Sequence, residues 1–217
     1  MLTKKEDILK TINHEVFAWI SCSLILFSNF PYLWGIYNKK TEHSFSAWLI
    51  WLLIGFSVLV TYKTSNAKGA LLSAVFGFLD PLLIILFLLW KKSGNFYFKK
   101  AERLCFGICI TVIFTWVIFG YIRENTYVEK YSLYFAIATD AIAAIIQFRH
   151  VKKNPGHEKP FAWGIYAIGY GLTIFCVPEF SLENCILPTY MCVTYSGITI
   201  PLIQHRIRNG KTWRDWI

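Results

Sequence analysis

Along the chain, apolar residues gather into seven long windows, at 16–38, 44–62, 69–90, 104–122, 131–148, 161–177 and 184–204, and most charged residues lie between them. Inside the windows only Asp80 and Asp140 carry charge. A helix on the surface of a water-soluble protein interrupts its apolar positions with a polar face roughly every three to four residues. These windows are instead apolar all round and flanked by Trp, Tyr, Lys and Arg. A helix of about 20 residues crosses a hydrocarbon layer about 30 Å thick, so the pattern predicts an all-α integral membrane protein with seven spans.

Composition agrees. Of 217 residues, 55% are hydrophobic and 16% charged, too few charges to coat a soluble globule of this size. The net charge of +9 could suggest nucleic acid, but in a polytopic chain basic residues on short loops are topology signals, and no nucleic-acid partner is expected. Counting Lys and Arg, the side bearing the N-terminal tail holds 7 and the opposite side 15. The positive-inside rule therefore puts the N-terminus outside and the C-terminus in the cytoplasm. The first window is too long for a signal-peptide core and lacks a cleavage pattern, so it is read as a retained span. Of six cysteines, Cys22, Cys105, Cys109 and Cys192 sit inside windows as small apolar residues. Cys176 and Cys185 bracket one loop, where either a disulfide or two free thiols would fit.

An internal repeat organises the windows. An offset of 115 residues lays Pro31 and Tyr32 on Ile146 and Gln147, a basic loop on a basic loop, and Ala47, Trp48 and Ile50 on Ala162, Trp163 and Ile165. Trp51 falls on Tyr166 and Asp80 on Tyr195. Three helices exchange sides of the membrane, so a second copy in the same orientation needs an odd number of linking spans, which the fourth window supplies. The expected architecture is two parallel three-helix repeats joined by a linker helix (3+1+3): 1–90 the first repeat, 91–130 the linker helix (about 104–122) with its loops, and 131–217 the second repeat. A pseudo-twofold axis along the membrane normal would set the repeats across a central cavity.

The stretch that begins Phe30-Pro31-Tyr32-Leu33, passes through the basic loop with Lys39 and Lys40 and ends in Trp48-Leu49-Ile50-Trp51 resembles the PQ-loop hairpin. That hairpin is shared by SWEET-type sugar transporters, lysosomal amino-acid exporters and the KDEL receptor, and the similarity is strongest to uncharacterised bacterial membrane proteins of that superfamily. The resemblance implies the SWEET-like fold, a bacterial inner-membrane location and a hinge at Pro31. Tyr32 stands where the motif has Gln, and the second copy keeps Gln147 but has Ile146 in place of proline.

Candidate chemistry lies within the windows. Pro31 removes a backbone donor and frees the Phe27 carbonyl; a hinge and a static kink are both open readings. An ionised carboxylate at mid-membrane costs at least about 2.5–3.5 kcal/mol, so Asp80 is expected to face a cavity. Pro81 beside it frees the Gly77 carbonyl, making a cation or hydrogen-bonding site one reading and a structurally paired acid the other. Asp140, among small alanines, either holds the bundle together or carries protons. Trp48 and Trp163, near helix ends, read as membrane-belt anchors. Trp51 and Tyr166, one turn deeper, and Tyr195 are the pocket candidates, with Asp80 on the facing wall. His43, His150 and His157 read as solvated loop residues without zinc spacing.

No Walker loop, nucleophile elbow or metalloprotease pair occurs, so neither an enzyme nor a cofactor or metal is expected. The reading is a carrier for a small polar solute (a sugar, an amino acid or a vitamin-like ring) working by alternating access in the lipid bilayer. The alternative is a ligand-binding receptor or interaction protein on the same fold. A homo-oligomer remains open.

Overall fold

Hydrocarbon offers a backbone no hydrogen-bonding partner, and a helix satisfies its own. In the computed structural model, which describes residues 2–38, 45–64, 71–92, 97–98, 100–123, 125–156, 158–177, 179–211 and 216, the chain forms seven helices and, among the described residues, no strand. They are α1 (Leu2–Tyr37), α2 (Phe45–Thr64), α3 (Leu71–Trp90), α4 (Lys100–Thr115), α5 (Thr126–Lys153), α6 (Pro160–Thr173) and α7 (Leu182–Arg208). All but α6 supply runs long and apolar enough to cross a bilayer, that of α4 continuing through residues 116–121. The protein is an integral membrane protein.

The seventh expected span is shorter than the rest. Helix α6 ends in a 3-10 turn, Ile174–Cys176, before Val177 turns extended at φ −71° and ψ 131°. At about 1.5 Å per residue, Pro160–Cys176 reaches about 25 Å, short of an average core about 30 Å thick. Other helices outrun their windows: α1 begins at Leu2 and α5 and α7 continue to Lys153 and Arg208. Their last turns carry His150, Lys152 and Lys153, and His205, Arg206 and Arg208, and the lysines and arginines among them suit the negative end of a helix. Helix α4 runs on as a π-helical turn, Trp116–Tyr121. The Asn125 side chain then caps α5 by accepting from the Tyr127 and Val128 amides at 3.1 and 3.2 Å.

Lipid is as apolar as leucine, so helix association depends on close packing and hydrogen bonds. Helix α3 packs against α1 and α2, α7 against α5 and α6, α1 against α6, and α2 against α5, while α4 lies on α2 and α5. Glycine sets the closest approaches. A Cβ at Gly169 would come within 2.9 Å of Ile25 Cγ1 on α1. At the same crossing the Ser21 hydroxyl donates to the Gly169 carbonyl at 2.8 Å and lies 2.7 Å from the Thr173 hydroxyl. A Cβ at Gly55 would come within 2.9 Å of the Gly77 oxygen, so the carbonyl that Pro81 releases lies against α2.

Prolines stand inside α1 (Pro31), α3 (Pro81) and α7 (Pro188 and Pro201). Pro188 releases the Asn184 carbonyl, and the Tyr62 hydroxyl of α2 approaches that oxygen at 3.5 Å. All six cysteines, Cys176 and Cys185 included, are free thiols.

The α2–α3 crossing is testable. Gly55→Ala forces a methyl against the α3 backbone and should destabilise the protein by about 1–3 kcal/mol. Gly107→Ala, with nothing within 4 Å of the new atom, should lose nothing. Thermal unfolding in detergent compares the two, and equal midpoints would contradict the packing.

Candidate functional site

The small-residue crossings leave one large space in the middle of the bundle, a cavity of about 470 Å³. Its walls come from α1 to α7. At one end it reaches His150 and Asn154, which are exposed; at the other it reaches Val58 and Leu187, just short of Tyr62 and Asn184. All eight residues singled out from the sequence (Pro31, Tyr32, Trp51, Asp80, Asp140, Gln147, Tyr166 and Tyr195) line this one space.

The acids lie deep. Asp80 is 5% exposed and Asp140 1%. The Asn29 amide lies beside Asp80 and the Tyr190 phenol beside Asp140. Yet Asp80 Oδ1, both Asp140 oxygens, both Asn29 amide atoms and the Tyr190 hydroxyl make no hydrogen bond. Both contacts fall outside hydrogen-bonding geometry. A buried acceptor without a donor costs about 1–3 kcal/mol, more when charged.

Opposite stands an aromatic wall from α6 and α7. The Tyr166 and Tyr195 ring centres are 4.8 Å apart, and Trp163 and Tyr170 lie 5.6 and 5.8 Å from Tyr195. A Cβ on Gly77 would fall 2.7 Å from the Tyr170 hydroxyl, so Tyr170 reaches from α6 to α3 only because position 77 has no side chain. Trp48 and Trp163, expected as membrane-belt anchors, belong to the cavity instead. Both meet the Tyr32 ring edge-on, at 5.6 and 5.9 Å. The amphipathic ring that suits a lipid interface suits a pocket rim equally, so helix-end position alone does not separate the two.

The residue that sequence reasoning missed is Glu158. Pro160 opens α6 at its first position and leaves Lys159 extended, at φ −104° and ψ 106°. The chain at 158–159 is thereby carried along the cavity rim. Arg206 of α7 fixes this segment, its Nη2 donating to the Gly156 and Glu158 carbonyls at 3.0 Å each. The Glu158 carboxylate then accepts from Tyr32 Oη at 2.9 Å, Gln147 Nε2 at 2.9 Å and Trp163 Nε1 at 3.2 Å. Tyr32 and Gln147, 115 positions apart in the sequence, bond the two oxygens of one carboxylate. A lone glutamate in a polar loop gave no signal, since its partners lie 126, 11 and 5 residues away.

On the α2–α4 side, Ser46 Oγ donates to Glu102 Oε2 at 2.9 Å. His150 is not a free loop residue but stands exposed at the cavity rim, on the last turn of α5. His43, His157 and the basic loop with Lys39 and Lys40 lie outside the described residues. Among the described residues no cluster of His, Cys, Asp and Glu is arranged to hold a metal.

No family model, curated protein or solved structure matches this chain. The PQ-loop resemblance therefore rests on the hairpin residues alone.

A double-mutant cycle tests the Glu158 cluster. Hydrogen bonds to a charged group contribute about 1.5–3 kcal/mol, so Tyr32→Phe and Glu158→Ala should each lower stability. Their coupling should be about 1–3 kcal/mol; additive effects in thermal unfolding would show that the bond contributes nothing.

Proposed function

We propose that this protein is a membrane carrier for a small polar solute, working by alternating access around the central cavity. The observation that carries the reading is the cavity itself: a space of about 470 Å³ inside a membrane bundle, lined by two buried acids, Asp80 and Asp140, three of whose oxygens lack a hydrogen bond. A purely structural bundle gains nothing from leaving such groups unsatisfied, whereas ionisable residues facing a cavity at membrane depth mark solute or ion paths.

In this reading the fold is the 3+1+3 PQ-loop arrangement, with α4 as the linker and α6 as the seventh, short span. Support comes from the helix neighbours. Shifting every helix number by four, with α5, α6 and α7 standing for α1, α2 and α3, turns the α1–α3 and α2–α3 contacts into α5–α7 and α6–α7, and exchanges α1–α6 with α5–α2. That is the behaviour of two like-oriented triplets about a twofold axis. Pro31, within α1 and on the cavity wall, serves as the hinge. With the N-terminus outside, the cavity opens to the cytoplasm through the rim at His150, Asn154 and Glu158. The far end is closed by the Ser21–Gly169–Thr173 and Tyr62–Asn184 contacts.

Reconstituted proteoliposomes test the reading. A carrier gives saturable counterflow of a preloaded solute, and Ala143→Phe, which fills the cavity from α5, cuts it by about tenfold or more while the protein remains monodisperse. Ligand-induced thermal stabilisation without flux, across a panel of sugars, amino acids, amines and vitamins, would replace the carrier with a receptor.

A further inference from the structure

The geometry points to a specific solute class: an organic cation without a carboxylate, that is, an amine or guanidinium group on an apolar or aromatic body. This rests on the carrier reading for the cavity's role but concerns its charge, which can be measured separately.

Among the described residues lining the cavity, Asp80, Glu102, Asp140 and Glu158 are acidic and Lys159 is the one lysine or arginine, with His150 at the rim. The chain as a whole carries +9, so the interior runs against the charge of the molecule around it. The acids also differ in what they already hold. Glu158 accepts from three side chains and Glu102 from Ser46. Asp80 and Asp140, more than nine-tenths buried among the residues that line the cavity, have three oxygens with no hydrogen bond.

An ionised carboxylate is acceptor-only and needs both donors and a counter-charge when taken out of water. A sugar supplies the donors and leaves the charge. An amino acid supplies an ammonium but brings a carboxylate into a chamber whose acids outnumber its one lysine four to one. An amine or guanidinium without a carboxylate supplies donors and charge together. The facing wall suits the rest of such a molecule. Tyr195, with the ring centres of Tyr166 and Trp163 at 4.8 and 5.6 Å from its own, forms with them a group of π-faces that attract cations and pack against flat bodies.

Five probes separate these possibilities on the full chain in detergent: tyramine against its uncharged counterpart tyrosol and its carboxylated counterpart tyrosine, and agmatine against arginine. Tyramine and agmatine should raise the thermal midpoint and bind about tenfold or more tighter than their counterparts. Asp80→Asn and Asp140→Asn should each remove most of that preference. Equal binding of tyramine and tyrosol, preference for the amino acids, or no stabilisation by either amine at about 10 mM would overturn the inference. Should either variant fail to fold, the comparison on the unaltered chain still decides. Saturable flux of an uncharged solute without amine binding would overturn this inference and keep the carrier; amine binding without flux would do the reverse.

Discussion

Asp80 and Asp140 cannot face hydrocarbon at an acceptable free energy, and that restriction fixes how two helices are turned. On α3, Asp80, Ile84 and Leu88 follow one another at four-residue steps on the buried side, while Leu83, Leu86 and Leu89 are exposed to the surroundings. On α5, Ala136, Ile137, Asp140, Ala143 and Ala144 point inward, and Phe135, Ile142 and Ile145 outward. Once both helices are set in this way, the remaining ones must close around a common polar interior. The glycines at 55, 77 and 169 let them close tightly enough to do so.

The interior that results is not symmetric. At positions related by the 115-residue offset, Trp51 corresponds to Tyr166, Gly55 to Tyr170 and Asp80 to Tyr195. At these positions residues 1–90 contribute a small and an acidic side chain where residues 131–217 contribute phenols, while Asp140 and Glu158 supply acids from the second segment.

The membrane class and approximate helices were legible because charge clustering is a long-range, redundant signal; no single residue had to be interpreted correctly. The convergence of Pro31, Tyr32, Trp51, Asp80, Asp140, Gln147, Tyr166 and Tyr195 on one cavity followed from the repeat alignment and from the high free energy of charge at membrane depth. Helix ends were less legible. Beyond the hydrocarbon a helix can continue through charged residues, as α5 does to Lys153, without any change in apolar pattern to mark where it stops. Trp48 and Trp163 were misplaced because their position near helix ends is common to belt and pocket. Glu158 was invisible because its role is created by contacts among four segments that only the folded chain brings together.

Glu158 has a consequence for the cohesion of the rim. Both of its oxygens are engaged by protein donors, and its backbone oxygen is held by Arg206. One side chain in a short connection thereby ties α1, α5 and α6 to one another, and Arg206 adds α7 to the same knot. Removing that single carboxylate would leave three donors on three helices without their shared acceptor, so the rim depends on a residue that belongs to none of the helices it joins.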